Sequence, residues 1–127
     1  MSVEADLRSC LVAYAPLAAL VSSRIYPLAL PESPTLPAIS YQRISRRNER
    51  TMGSPVAVQV ARFQLDCWAQ SYGQAKDVAA QVMAALDGRS GAMGGTTILD
   101  AHVVSELDLY EPDTKLYRVT VDVEVAY

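Results

Sequence analysis

Residues 62 to 88, RFQLDCWAQSYGQAKDVAAQVMAALDG, change period in mid-course, and that change limits what the chain can fold into. Arg62 to Cys67 alternates polar and apolar, the two-residue period of a half-buried strand. Beyond Ser71 the period becomes helical. Ala75, Val78, Ala79, Val82, Met83 and Leu86 fall at i, i+3, i+4, i+7, i+8 and i+11 and make one apolar stripe. Gln74, Lys76, Asp77 and Gln81 lie off it. Ser71 supplies an N-cap oxygen, and Gly88 stands where a left-handed C-cap falls. The stripe is rich in alanine, so the helix lies close to whatever it covers. The pattern predicts that it covers an antiparallel sheet.

The rest of the chain supplies that sheet. Ser2 to Ala15 reads as a first helix, with Val3, Leu7, Cys10, Leu11 and Tyr14 on its stripe and Glu4 and Asp6 at its positive end. Pro16 stops or kinks it and opens a second short helix, Leu17 to Val21. Arg24-Ile25-Tyr26-Pro27 is a brief extended piece. Pro27, Pro31, Pro34 and Pro37 then mark irregular backbone, either a connector crossing the sheet edge or an arm packed on a neighbouring subunit.

Ala38 to Ser45 is the first long strand, with Ile39 and Tyr41 on one face, and residues 46–55 read as a polar loop. In Val56 to Ala69 the alternation changes phase. Val56, Val58 and Val60 are even-numbered, whereas Phe63, Leu65 and Cys67 are odd. This predicts a bulge near Ala61, or a hairpin tip over residues 56–60 that buries its valines elsewhere. Residues 88–95, GRSGAMGG, read as a flexible loop that follows a helix rather than opening one, without the ending of a phosphate loop.

A third strand places Ala101, Val103, Ser105, Leu107 and Leu109 on one face, and a fourth does the same for Tyr117, Val119, Val121, Val123, Val125 and Tyr127. If both odd-numbered sets share a face, the turn around Glu111-Pro112-Asp113-Thr114 holds three or five residues. The sum is one α+β domain over residues 1–127. Its order is α-β-β-α-β-β, a four-stranded antiparallel sheet with helices packed on one face. The opposite face mixes charges with Trp68, Tyr110 and Val104, as a face partly covered by another chain would.

Composition excludes several functions. A net charge of −3 argues against a general binder of nucleic acid or anionic membranes. Glu4 and Asp6 stand where a signal peptide carries basic residues, and Pro16 breaks an apolar run too short to span a bilayer, so the chain reads as soluble and unexported. Cys10 and Cys67 read as two reduced core thiols, with a disulfide as the alternative. His102, the one histidine, has no Cys or His at metal spacing. Ser90 lies in the glycine loop without a nucleophile elbow. Asp108, Glu111 and Asp113 flank a turn and read as solvated. No catalytic, cofactor-binding or metal-ligating set emerges.

Charge placement is more informative. Arg43, Arg46, Arg47, Arg50 and Arg62 against Glu49 give the first hairpin +4. Asp100, Glu106, Asp108, Glu111, Asp113, Asp122 and Glu124 against Lys115 and Arg118 give the last hairpin −5. Three readings fit: two solvated hairpins, head-to-tail association of copies, or an arginine loop facing a channel for nucleic acid. The candidate interface residues are Arg43, Arg46, Arg47, Arg50, Val56, Val58, Val60, Trp68, Asp108, Glu111 and Asp113.

Short pieces spread along the chain carry a family resemblance. They are Arg24-Ile25-Tyr26-Pro27, Leu36-Pro37-Ala38-Ile39-Ser40-Tyr41-Gln42, Gln64-Leu65-Asp66-Cys67-Trp68-Ala69 with Ser71-Tyr72 and Ala75-Lys76, Leu109-Tyr110-Glu111-Pro112, Thr114, Leu116-Tyr117-Arg118 and Asp122. In order and spacing the chain resembles the small tail-completion, or head–tail joining, proteins of long-tailed bacteriophages and prophages. The resemblance implies a non-enzymatic virion protein without cofactor. It implies a homo-oligomeric ring, typically of six, that caps the head-proximal end of the tail tube. Its implied partners are the major tail tube protein and the head connector or head-closure protein, with DNA passing through the lumen and no membrane. It places the protein at the head–tail junction of the virion and in the host cytoplasm during assembly. The alternatives are a neighbouring head-closure or tail-tube ring component, or, in a different class, a small cytosolic α+β ligand-binding or enzymatic domain.

Overall fold

The structure, a computed structural model, describes residues 3–50, 57–93 and 96–127. Two helices, α1 (Val3–Ala13) and α2 (Ala15–Val21), precede strands β1 (Ile25–Pro27), β2 (Ala38–Arg50) and β3 (Ala57–Ala69). Helix α3 (Tyr72–Leu86) follows, then β4 (Arg89–Met93), β5 (Thr96–Glu111) and β6 (Leu116–Ala126). The strands form one six-stranded sheet in the order β1-β2-β3-β6-β5-β4. β1 pairs with β2 in parallel and every other neighbour is antiparallel. The expected four-stranded antiparallel sheet is therefore corrected to a six-stranded mixed one. Each added strand is a short piece whose sequence lacks a strand period. Ile25-Tyr26-Pro27 is only one turn of alternation, and Arg89–Met93 lies in the glycine segment read as a loop.

Local chemistry explains the helices. Val3, Leu7 and Leu11, four residues apart, are buried on one face of α1. Tyr14 takes extended backbone, φ −79° and ψ 106°, and caps α2, whose first turn holds Pro16. There the missing proline N–H costs nothing, so the first helix ends at Ala13 rather than Ala15. Ser71 is extended, and its Oγ accepts from the Gln74 N–H at 3.2 Å, satisfying an otherwise orphaned donor of α3. Ala75, Val78, Ala79, Val82, Ala85 and Leu86 are buried along α3, while Met83 only borders the core. Asp87 N–H closes the helix on Met83 O, and Gly88 follows with φ +75°, a conformation that glycine adopts without a side-chain clash.

The core lies between these helices and one sheet face. Phe63, Leu65 and Cys67 of β3 and Val119, Val121, Val123 and Val125 of β6 are fully buried against it. Both cysteines are free; burial pushes the Cys67 thiol well up, so it stays protonated.

Two bulges decide which way the outer strands face. The β2–β3 register shifts between Arg43 and Ser45, so Ile44 is the extra residue. β3 itself pairs with β6 without interruption from Val60 to Ala69, so the expected bulge near Ala61 lies instead on the partner strand. Val58 and Val60 need no irregularity, because they sit on the face opposite the helices. The second shift, between Val103 and Ser105, makes Val104 the extra residue of β5. Val103 opposes Val123 on the helix face, but beyond the bulge Ser105, Leu107 and Leu109 oppose Asp122, Thr120 and Arg118 on the other face. The expected common face for Ala101 through Leu109 is thus split. The turn parity changes with it: Glu111 opposes Leu116, and the loop holds the four residues Pro112 to Lys115, not three or five.

Candidate assembly interface

The face away from the helices is a lattice of charges. Arg47 Nη1 of β2 reaches Glu124 Oε2 of β6 at 2.9 Å, and Arg62 Nη2 of β3 reaches Asp122 Oδ2 at 2.7 Å. His102 of β5 lies 3.7 Å from Glu124 and 3.1 Å from Asp100, so it is a surface histidine within a carboxylate pair. Arg47 holds the Glu124 carboxyl below its ordinary range, first through the hydrogen bond. The hairpins read from sequence as opposite poles are therefore neighbours within one chain, joined through the β3–β6 pairing.

Toward the other end of this face lies a cleft of about 470 Å³. The proline segment forms one wall, with Leu28, Leu30, Pro31 and Pro34, and the strands supply Gln42, Asp66, Trp68 and Arg118. Arg24 ties the far end of that segment to helix α2, donating from Nε to Pro37 O at 3.0 Å and from Nη2 to Leu20 O at 3.2 Å. The segment thus packs over its own sheet. Trp68 Nε1 donates to Ser40 Oγ at 3.0 Å, and the Arg118 guanidinium stacks 5.1 Å from the Trp68 ring centroid. Thr120 Oγ1 donates to Asp66 Oδ1 at 2.7 Å, yet burial dominates and pushes the Asp66 carboxyl up.

The acidic candidates separate. Asp108 faces the helices: Tyr72 Oη donates to its Oδ2 at 2.6 Å and Lys76 Nζ to its Oδ1 at 3.1 Å. These bonds lower its pKa, with Tyr72 the larger cause, and the Lys76 ammonium is stabilised by Glu106 and Asp108 in turn. The Val104 bulge turns Glu106 and Asp108 toward α3, and no alternation in the sequence marks it. Glu111 accepts from Arg118 Nη2 at 2.8 Å on the opposite face. Asp113 is exposed in the turn.

The basic and apolar candidates separate as well. Arg43 pairs with Glu4 of α1 at 2.8 Å, and Arg46 Nη1 donates to Gln59 Oε1 at 3.3 Å. Arg50 closes β2, opposite Ala57. Val60 is only 7% exposed within the single chain and Val58 is half-buried. Val56 lies outside the described residues. Trp68 is half-buried in the cleft. Among the described residues, no three His, Cys, Asp or Glu side chains gather to hold a metal, and no helix is long and apolar enough to cross a membrane.

Sequence edges matter as much as faces. β1 covers β2 only from Ile39 to Tyr41, and β4 covers β5 only from Thr96 to Ala101. Among the described residues, no strand pairs with the outer edge of β2 beyond Tyr41 or of β5 beyond Val103. Val104, Leu107 and Tyr110 on that part of β5 are 41%, 56% and 50% exposed.

The described residues thus form a mixed sheet with helices on one face, stepped open edges and a charged opposite face. Residues 5–127 match the family model described as Tail completion protein gp17, and the chain belongs to that family, whose members are structural components of phage tails. Among solved structures, it is similar to a chain of the "Virion of native gene transfer agent (GTA) particle". The identity is 20% and the TM-score 0.77, over 98% of this chain and 93% of that one, a likeness of fold. Comparison with the curated proteins finds no match.

Proposed function

We propose that the protein is a non-enzymatic ring component that caps the head-proximal end of the tail tube and joins the tail to the head connector. The observation that carries this reading is the family match over residues 5–127. The charged hairpins and open sheet edges suit a homo-oligomer, which we read as a ring of six, the number typical of the family it resembles. The partners are then the major tail tube protein on one side and the head-closure protein on the other. DNA passes through the lumen without sequence-specific contact, and the protein acts at the head–tail junction after assembly in the host cytoplasm.

The test is negative-stain imaging of the protein mixed with purified tail tubes, together with tail lengths in particles made without it. Rings at one tube end, and overlong or headless tails in its absence, are expected. Binding along the whole tube would favour a tube component instead. Binding only to connectors would favour a head-closure role.

A further inference from the structure

The two open edges differ in sign. The uncovered part of β2 carries Arg43, Arg46 and Arg47, and the uncovered part of β5 carries Glu106, Asp108 and Glu111. Long free edges template pairing with other chains, and charge is the usual guard against it. Opposite charges guard only against like edges. They repel β2 from β2 and β5 from β5, and leave β2 against β5 attractive.

We infer that the free edge of β2 in one copy pairs antiparallel with the free edge of β5 in the next, so that the sheet runs on from subunit to subunit. This rests on the ring reading above and specifies its contact. The direction follows from the sheet. β2, β3, β6 and β5 alternate, so β2 and β5 run oppositely, and a neighbour related by rotation presents them antiparallel.

Face matching then restricts the register. Arg46 opposes Ala61 and so lies on the helix face, where β5 offers Glu106 and Asp108, opposite Val121 and Val119. A continuous sheet keeps helix face with helix face, which leaves Glu106, Asp108 and Tyr110 of the free edge, and charge selects one of the two carboxylates for Arg46.

The same registers fix a tilt. Arg46 is level with Ala61 of β3; Glu106 and Asp108 are level, through Val121 and Val119 of β6, with Leu65 and Cys67. Successive copies are therefore offset by four or six residues, roughly 13 or 20 Å along the strands. Four strand spacings, from β2 to the next β2, span roughly 19 Å. A ring without helical rise needs strands inclined about 35° or 45° to its axis, which is the range closed barrels adopt. The flush alternative, β4 against β2 and β1 against β5, has no offset and would hold the strands upright. It also sets Arg89 of β4 beside the arginines of β2 and gives β5 a partner, Pro27, that lacks an N–H.

Cysteine pairs test this, because directly opposed antiparallel residues lie within disulfide reach. In a Cys10→Ser background, Arg46→Cys with Asp108→Cys and Arg46→Cys with Glu106→Cys are oxidised after assembly on tail tubes. Each pair joins opposite ends of the sheet within one chain, so any bond is intermolecular. One of the two is expected to give a ladder of oligomers on a non-reducing gel, and Arg46→Cys with Ala92→Cys only monomer. Rings in the images with no ladder from either pair, or a ladder from the Ala92 pair, would overturn the contact and leave the ring reading standing. Wild-type protein that forms no ring on tubes would remove both.

Discussion

Arg47 on β2 and Glu124 on β6 meet at 2.9 Å across the intervening strand β3. One chain therefore neutralises part of its own charge asymmetry before any neighbour arrives. The Glu124 carboxyl sits below its ordinary value, so its contribution is present above the unfolded pKa and is lost as pH falls through the folded one. Arg47→Met should raise the Glu124 pKa, visible in a carboxyl NMR titration. It should cost about 0.2–1 kcal/mol at neutral pH, the range for exposed pairs, and less as the pH drops below the ordinary glutamate value.

Asp66 behaves in the opposite sense. Its side chain is only 15% exposed, and burial raises its pKa despite the Thr120 hydroxyl and the Arg118 guanidinium. A carboxyl raised on folding binds its proton more tightly in the folded state, so its ionisation removes stability as pH rises above 3.8. Asp66→Asn keeps an acceptor for Thr120 and carries no charge to desolvate. Its melting temperature should gain on wild type between about pH 4 and 7. A constant difference across that range would show that burial does not govern this group.

The chain has one tryptophan, so the cleft reports on itself. Trp68 is held by the Ser40 hydroxyl on its nitrogen and by Arg118 over its ring. Arg118→Met keeps the aliphatic stem but removes the cation. The expected cost is about 0.5–1 kcal/mol from the ring contact, together with a shift of Trp68 emission. Loss of the Glu111 bond adds to it. Emission unchanged from wild type would mean that the ring does not sense the guanidinium.

The contrast between β3 and β5 shows what a sequence of this kind discloses. In β3 the odd-numbered residues Ala61 to Ala69 all face the helices, and an unbroken alternation from Ala61 onward states that directly. The α3 stripe and the Ser71 cap are equally plain, because each depends on residues within one turn. β5 is different. Leu107 and Leu109 keep the odd-numbered apolar phase of Ala101 and Val103, broken only at Val104 and Ser105, yet Val104 is squeezed out of register and the second half turns over. Val104 and Ile44 are apolar residues out of phase with their strands, but a single such residue is tolerated on either face, so it does not disclose that the strand turns over there. The same holds for β4, whose glycines give no period, and for the ion pairs. Arg47 with Glu124, Lys76 with Asp108 and Arg118 with Glu111 depend on strand order, which only the folded sheet supplies.

Leu107 separates folding from assembly. The bulge puts it on the face away from the helices, where 56% of it is exposed in the single chain. Removing its apolar contacts should change the stability of the isolated protein by no more than about 0.5 kcal/mol. In an edge-paired ring it stands on the same face as Arg47 of the adjoining copy, on the strand directly beside it. Leu107→Lys would bring a second cation there, and like charges across a strand pair are destabilising. The variant should melt with wild type by circular dichroism and fail to form rings on tail tubes. Leu107→Glu, which presents a carboxylate to the same arginine, should assemble. Equal assembly of the lysine and glutamate variants would show that this part of β5 stays open to water in the finished tail.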